Sequence, residues 1–533
     1  MALIEIKNGL YDYAEDCGMK PRNSRPVNGN QLPDRICVNE AQAGYGFNAI
    51  VRDNANVDNN QNGTPYFGFI CPEEETSGQY SDLSLVFFPL ENENHDLCIV
   101  VSLCLGSQGL KNDIQEATLP GTRRLFMRLH EAQNEQELNF FIKNDFSSQD
   151  TVLKGLFDEL ANNGYVIGNL RNRYGKYMQV NSYVVFPDGN MNEVAMNRLK
   201  SWIAVYAKFR SWPHNGNERN SVYIYYPNPQ NRNMSIDEIR NILDHDHYIV
   251  LQGAPGTGKT YTAQKIANKD ESKDKNKKLF KRENVFFTQF HGETSYSDFV
   301  WGIRPKLNAD SLQYEAQDGV LLKAIKAAEK AKEAAQNPVE AERVLLIIDE
   351  INRANLSNVL GPVFFLFENS RLKDKKKDDK KKDEVVLRMG IEIGGETFYE
   401  LPNNLYVIAT MNTADRSLAV VDFALRRRFT WITLRPHVLK FKEEEGRTFH
   451  DGDFQEISDI FERYATDDEL NLQPGHSYFI TDNGGNADEL MRQRLQYELM
   501  PLIKEYLAEG YLSDAKDEFS NYFFNRLHVF MYE

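Results

Sequence analysis

The spacing of apolar and polar positions changes character once along this chain, near Tyr248. Downstream, four short apolar runs alternate with stretches of helical spacing: "YIVLQG" (248–253), "VFFTQF" (285–290), "RVLLIID" (343–349) and "LYVIAT" (405–410). Short continuous apolar runs predict strands buried on both faces, and their alternation with helices predicts a parallel sheet with helical cover. After about Pro436 the spacing is helical, as in "QRLQYELMPLIKEYLAEG", and predicts a small helical lid. Upstream, "SLVFFPL" and "DLCIVVSLCLG" predict strands, "TVLKGLFDELANN" an amphipathic helix and "NANVDNNQNGTP" a loop. This part reads as a mixed α/β or α+β domain. Between the two regions, "SWPHNGNERN" is polar and structure-breaking, and Ser235 with Glu238 three residues later forms a capping box that opens a helix. The expected division is 1–215, a connector with its entry helix at 216–240, an α/β core at 241–436, and the helical lid at 437–533.

Size and composition narrow the class. At 533 residues the chain is too long for one ordinary domain, and 41% hydrophobic content suffices for several cores. No run of about 18 apolar residues occurs, so no membrane partner is expected. The N-terminus lacks a basic region followed by an apolar core, which points to a cytoplasmic protein. Cys17, Cys37, Cys71, Cys98 and Cys104 are odd in number and form no C-x-x-C pair, so reduced, buried thiols are expected rather than a zinc site. The net charge of −16 means that any contact with DNA must use a local basic patch. Two lysine-rich stretches, "KDESKDKNKKLFKR" and "RLKDKKKDDKKKDE", read as solvated loops.

Chemistry concentrates at the ends of the predicted strands. "GAPGTGKT" follows one strand and opens a helix, the context that a phosphate-binding loop requires. Gly253, Gly256 and Gly258 permit backbone torsions that side chains obstruct, and the loop's N–H groups then face an anion at a helix N-terminus. The nucleotide-binding segment is thus Gly253, Ala254, Pro255, Gly256, Thr257, Gly258, Lys259 and Thr260, with Tyr261 behind it. Lys259 neutralises the terminal phosphates, and Thr260 offers a hydroxyl to Mg2+. "RVLLIIDEINRAN" ends an apolar strand in two carboxylates. Asp349 suits the Mg2+ shell, and Glu350 suits the polarisation of an attacking water.

A third strand, "LYVIAT", delivers "MNTADR". Beside the phosphate-binding strand, Asn412 would hold the water or the terminal phosphate, and Asp415 and Arg416 would fix that loop or meet a neighbour. Arg426, Arg427 and Arg428 follow the short helix "AVVDFAL". An arginine there can reach a neighbouring subunit's site and stabilise transition-state charge.

These segments together resemble the McrB-type AAA+ proteins. "MNTADR" matches that family's M-N-x-x-D-R loop, while "IIDEINRANLS", "FHGETSYSDFVWGIRP", "VDFALRRRF" and "GHSYF" resemble its flanking segments, over about residues 235–510. The resemblance implies a P-loop NTPase core, a hexameric ring with nucleotide between subunits, and a motor for modification-dependent restriction. It implies GTP as substrate, with ATP the alternative that a phosphate loop alone leaves open. A separate McrC-like nuclease subunit would stimulate hydrolysis through the Asn412–Asp415–Arg416 loop. Arg353 is a further candidate to reach a neighbouring site. The chain itself shows no nuclease constellation.

By the same likeness the N-terminal domain reads the target, namely DNA carrying a modified base. Its candidate contacts are Arg123 and Arg124 in "GTRRLFMRLH", and Arg171, Arg173, Tyr174 and Lys176 in "NLRNRYGKYMQV". "SWIAVYAKFRSW" also mixes basic residues with aromatics. Basic residues meet phosphates and aromatics stack on bases, although aromatics at helical spacing equally build cores. A second class of function stays open, a nucleotide-controlled sensor or scaffold for a non-nuclease effector.

Overall fold

In the computed structural model the described residues are 2–21, 26–27, 30–31, 47–54, 64–74, 79, 81–122, 124–125, 140–143, 150–226, 234–268, 279–308, 311–337, 341–368, 390–414, 426–441, 446–482 and 486–532. The chain forms two units, residues 1–229 with 462–466, and residues 230–461 with 467–533. No helix among the described residues is long and apolar enough to cross a membrane.

The first unit is built on a six-stranded sheet, antiparallel throughout. Its strands are β1 (Ile50–Asp53), β2 (Phe67–Ile70), β3 (Leu83–Glu91), β4 (Leu97–Leu105), β5 (Phe141–Ile142) and β6 (Met178–Phe186), in the order β1-β2-β3-β4-β6-β5. Alternate residues of β3 serve opposite cores. Leu85 and Phe87 join α1 (Ala2–Asp16) and α4 (Glu193–Phe209), while Val86 and Phe88 face α2 (Thr151–Asn162). Both faces are covered, so the central strands are apolar at nearly every position. Helix α3 (Gly168–Tyr174) precedes β6. The stretch expected to break structure instead holds a helix, α5 (Gly216–Tyr225). Asn215 and Glu218 form the capping box that starts it, a polar signal that outweighs the Pro and Gly beside it.

The second unit opens with α6 (Ile236–Asp246), capped by Ser235 and Glu238 as expected. Its sheet consists of β7 (Tyr248–Gly253), β8 (Val285–Gln289), β11 (Val344–Asp349), β14 (Leu405–Asn412) and β15 (Thr430–Thr433), in the order β8-β11-β14-β7-β15. Every pairing is parallel. Helices α7 (Lys259–Asn268) and α8 (Val320–Ala334) bury their apolar sides in the cores on the two faces. In a parallel sheet all strand C-termini meet at one edge, where ligands bind. Gly253, Asp349 and Asn412 each end a strand there.

Between β8 and α8 stands a ribbon of β9 (Trp301–Asn308) and β10 (Ser311–Asp318). Its register aligns Ile303, Pro305 and Leu307 with Ala316, Tyr314 and Leu312 on one face. Leu307 and Tyr314 are 80% and 72% exposed. A short hairpin, β12 (Ile391–Ile393) with β13 (Glu396–Phe398), precedes β14. The C-terminal part pairs β16 (Arg447–Phe449) with β17 (Ile480–Asp482) and is otherwise mainly helical: α9 (Asp451–Tyr464), α10 (Ala487–Arg494), α11 (Met500–Ala508) and α12 (Lys516–Leu527).

Candidate functional site

The phosphate loop leaves β7 and enters α7 at Lys259. Gly256 and Gly258 hold φ of +78° and +76°, the left-handed region that a side chain disfavours. Gly253 is needed for a different reason. A Cβ there would stand 2.3 Å from the carbonyl oxygen of Leu434. Lys259 Nζ donates to the carbonyl oxygens of Gly253 (2.9 Å) and Ala254 (2.7 Å), which centres its charge on the loop. Thr257 Oγ1 donates to the Ala254 carbonyl at 2.9 Å and pins the turn. Tyr261 is exposed, and Lys265 lies over its ring.

Asp349 and Glu350 emerge at the end of β11, one strand away from β14 and two from β7. Asp349 is buried, and its Oδ1 accepts from the hydroxyls of Thr260 (2.8 Å) and Thr410 (2.6 Å). The group that Thr260 and Asp349 offer together is all oxygen, hard and anionic, and so fits Mg2+. Glu350 sits at φ 53° and ψ 48°, left-handed for a residue with a Cβ. Its N–H donates to Thr410 Oγ1 at 3.0 Å. Its carboxylate accepts from Gln289 Nε2 at 3.3 Å and pairs with Arg353 Nε at 2.7 Å. Arg353, considered above as a residue reaching a neighbour, is thus tied to Glu350 of its own chain.

Asn412 lies opposite Gly253 in the ladder of β14 with β7. Its Oδ1 accepts from the N–H of Ala414 at 3.2 Å, and its carbonyl oxygen accepts from Asn352 Nδ2 at 3.0 Å. Asp415 and Arg416 lie outside the described residues, as does the helix expected before the three arginines. Those arginines diverge. Arg428 is buried, pairs with Glu368 at 2.6 Å and lies over Phe364. Arg427 is exposed and reaches the same carboxylate at 3.4 Å. Arg426 is exposed and lies over Trp431.

The strap Gly475–Phe479 lies against the phosphate loop. Gly475 N–H donates to the Pro255 carbonyl at 2.8 Å, and Ser477 N–H donates to the Gly256 carbonyl at 3.0 Å. His476 is buried, and its Nε2 would be 3.3 Å from a Cβ on Gly258. Its ring meets His437 edge-on at 4.4 Å. Burial, with a smaller contribution from His437, lowers its pKa from 6.5 to about 3, so the imidazole is neutral.

In the first unit the described candidate DNA contacts have different surroundings. Arg124 donates to the carbonyl oxygens of Glu462 (3.0 Å) and Ala465, within that unit. Arg123 and the lysine-rich stretches at 269–278 and 369–389 lie outside the described residues. Arg171, Arg173 and Lys176 are exposed, whereas Tyr174 is half-buried against Phe88 and Tyr66. Burial pushes the Tyr174 phenol up to about 12. Trp202, Tyr206, Phe209 and Trp212 are all core. Among the described cysteines, Cys17, Cys71, Cys98 and Cys104 are free and buried.

Cys71, Asp82 and Asp113 lie close enough together to suggest a metal centre. Protein donors already satisfy their carboxylates. Asp82 Oδ1 accepts from the N–H groups of Lys111, Asn112 and Asp113, and Arg210 grips Asp113 with two bonds of 2.6 and 2.8 Å. The cation of this cluster is the guanidinium.

Thr410 also belongs to this cluster, and the sequence carries no signal for it. A threonine ending an apolar run reads as a strand former, and only its placement opposite Asp349 reveals the hydroxyl's use.

Residues 248–429 match the AAA domain (dynein-related subfamily). The chain is 32% identical over 289 residues to the type IV methyl-directed restriction enzyme EcoKMcrB subunit of Escherichia coli (strain K12), covering 52% of this chain and 57% of that one. It is 26% identical over 215 residues to the type II restriction enzyme BsuMI component YdiS of Bacillus subtilis (strain 168), covering 34% and 55% respectively. The chain therefore spans somewhat more than half the length of these curated relatives. With the parallel sheet, phosphate loop and paired strand-end carboxylates above, these likenesses make the half of the chain they cover similar to McrB-type AAA+ proteins.

Proposed function

We propose that the chain is the nucleotide-hydrolysing motor or switch of a restriction system. The observation that carries this reading is the convergence at one sheet edge of Lys259, Thr260, Asp349 and Glu350, with Asn412 beside Gly253. Bound at the loop, a nucleoside triphosphate would set its phosphates among the N–H groups of residues 253–260. Mg2+ would be held by Thr260 and Asp349, and would neutralise charge on the phosphates. Glu350 would orient and polarise the attacking water, and Asn412 would hold that water or the terminal phosphate. Energetically, such a site works by positioning and preorganised charge rather than by covalent chemistry.

The finer reading is a ring of identical subunits, hexameric in the family it resembles. GTP is its substrate, or ATP, since the loop reads phosphates alone. Arg426 and Arg427, both exposed, are the better placed of the three arginines to reach a neighbour, because Arg428 is committed to Glu368. Asp415 and Arg416 belong to the loop on which a McrC-like nuclease partner would act. The first unit would read DNA carrying a modified base. Support for that step is the names of the two relatives, both restriction components, together with the exposed Arg171, Arg173 and Lys176.

The test is Mg2+-dependent turnover of GTP and of ATP, with sedimentation in a slowly hydrolysed analogue of each. Wild-type protein is expected to turn over one nucleotide in preference and to sediment as a much larger species with its analogue. Lys259→Ala is expected to do neither. A wild-type protein that hydrolyses neither nucleotide, with or without methylated DNA, contradicts the reading.

A further inference from the structure

The ladder between β11 and β14 ends at the pair Ile348–Ala409. Beyond it stand Asp349, the last residue of β11, and Glu350 just after it on one side, and Thr410, Met411 and Asn412 on the other. Backbone pairing stops where the chemistry starts, and side chains take over the join.

Two of them do so. Thr410 is 1% exposed. A hydroxyl has one proton to give and lone pairs to receive with, and Thr410 uses both. It donates to Asp349 Oδ1 at 2.6 Å and accepts the Glu350 N–H at 3.0 Å. One oxygen thereby holds the metal-side carboxylate and the left-handed backbone of the water-side carboxylate. Asp349 Oδ1 also takes the Thr260 hydroxyl, while its Oδ2 has no hydrogen-bond partner among the described residues. The second side chain is Asn352, 5% exposed, whose Nδ2 donates to the Asn412 carbonyl at 3.0 Å. Its Oδ1 is buried without a hydrogen-bond partner among the described residues. An amide retained at such a place forgoes one bond to make the other.

We propose that Thr410 and Asn352 are positioning residues that clasp the Asn412 end of β14 to Asp349 and Glu350. Through this clasp, displacement of the Asn412 loop moves both carboxylates together. The proposal rests on the reading of Glu350 as the residue that acts on water. It gives that reading a mechanical link, since anything that shifts Asn412 pulls on Asn352 and on the strand that carries Thr410.

The experiment compares Thr410→Val with Thr410→Ser. Valine keeps the β-branched shape and loses both hydrogen bonds; serine keeps the hydroxyl and loses a methyl. Measured quantities are affinity for a fluorescent nucleotide with and without Mg2+, kcat, KM and melting temperature. Thr410→Val is expected to keep its Mg2+-free affinity, to lose much of the gain in affinity that Mg2+ confers, and to lower kcat by about 10–100-fold, the usual range for groups that orient a metal ligand. Thr410→Ser is expected to restore kcat to within a few-fold of wild type. Asn352→Ala is expected to lower kcat with KM little changed. If Thr410→Val does not fold, Thr410→Ala against Thr410→Ser makes the same contrast. Equal losses in the serine and hydroxyl-free variants overturn the proposal in favour of packing, as do wild-type kcat and Mg2+ dependence in Thr410→Val. Lys259→Ala is the separating control. If it hydrolyses normally, the reading of the site is at fault; if it is inactive while Thr410→Val is normal, only the clasp is.

Discussion

Gly475 approaches Gly256 so closely that a Cβ on Gly475 would stand 2.0 Å from the Gly256 carbonyl carbon. Gly475 itself sits at φ −69° and ψ 165°, a conformation that alanine adopts freely. Steric exclusion is therefore the whole reason for glycine here, and the atom in the way is backbone of the phosphate loop. Gly475→Ala is expected to displace that loop, lowering nucleotide affinity and melting temperature together. Nucleotide titration and thermal unfolding check it. Wild-type affinity in Gly475→Ala would show that the strap does not set the loop.

His476 gives the strap a pH signature. Its folded pKa is about 3, against an ordinary value of 6.5. Between those values the unfolded chain binds a proton that the folded chain does not, so stability rises with pH through this window. Acidification from pH 7 to pH 5 is expected to cost up to about 2 kcal/mol at this residue. His476→Gln should remove that share of the slope. Denaturant unfolding at the two pH values, in both proteins, measures it; an unchanged slope in His476→Gln contradicts the assignment.

What the sequence disclosed was local. The glycines and Lys259 of one loop, and two carboxylates ending one apolar run, are contiguous signals with a single physical meaning. Beyond these lay pairings across long separations. Gly475 against Gly256, and Thr410 against Asp349, leave no periodic trace. The ribbon of β9 and β10 turns Ile303, Leu307, Leu312 and Tyr314 outward, where alternation alone would assign them to a core. In the first unit, burial separates the aromatic side chains from basic ones such as Arg171 and Arg173. Trp202 and Tyr206 stand among basic residues in the sequence but pack into a core in the fold, and Tyr174 packs half-buried against another.

Arg210, a basic residue, is itself buried. Its guanidinium makes a bidentate pair with Asp113, with side chains 6% and 4% exposed. Removing one partner of a buried pair strands the other, at a cost of about 3–5 kcal/mol. Arg210→Met is expected to destabilise the protein by that order, measured by denaturant unfolding. A change below about 1 kcal/mol, in the range of surface substitutions, would contradict a structural role.

Asn412→Ala removes an amide next to the phosphate loop while leaving the β14 backbone in its ladder. Nucleotide affinity is expected to stay near wild type, while hydrolysis falls by about two to three powers of ten, the usual cost of losing one polar contact to a transition state. Turnover at saturating nucleotide and melting temperature are the readouts. Wild-type turnover would remove Asn412 from the catalytic machinery. Lost binding with a large fall in melting temperature would assign it a structural role.

In the proposed function Glu350 acts on water and Lys259 on phosphate, at one site. The most direct measurement is hydrolysis by Glu350→Gln at saturating nucleotide and Mg2+, beside its nucleotide affinity. Glutamine keeps the size and hydrogen-bonding reach of the side chain but cannot polarise water as a carboxylate does. Affinity is expected to stay within a few-fold of wild type and turnover to fall to near background, in contrast to Lys259→Ala, which should not bind. Normal turnover in Glu350→Gln would contradict that role for Glu350.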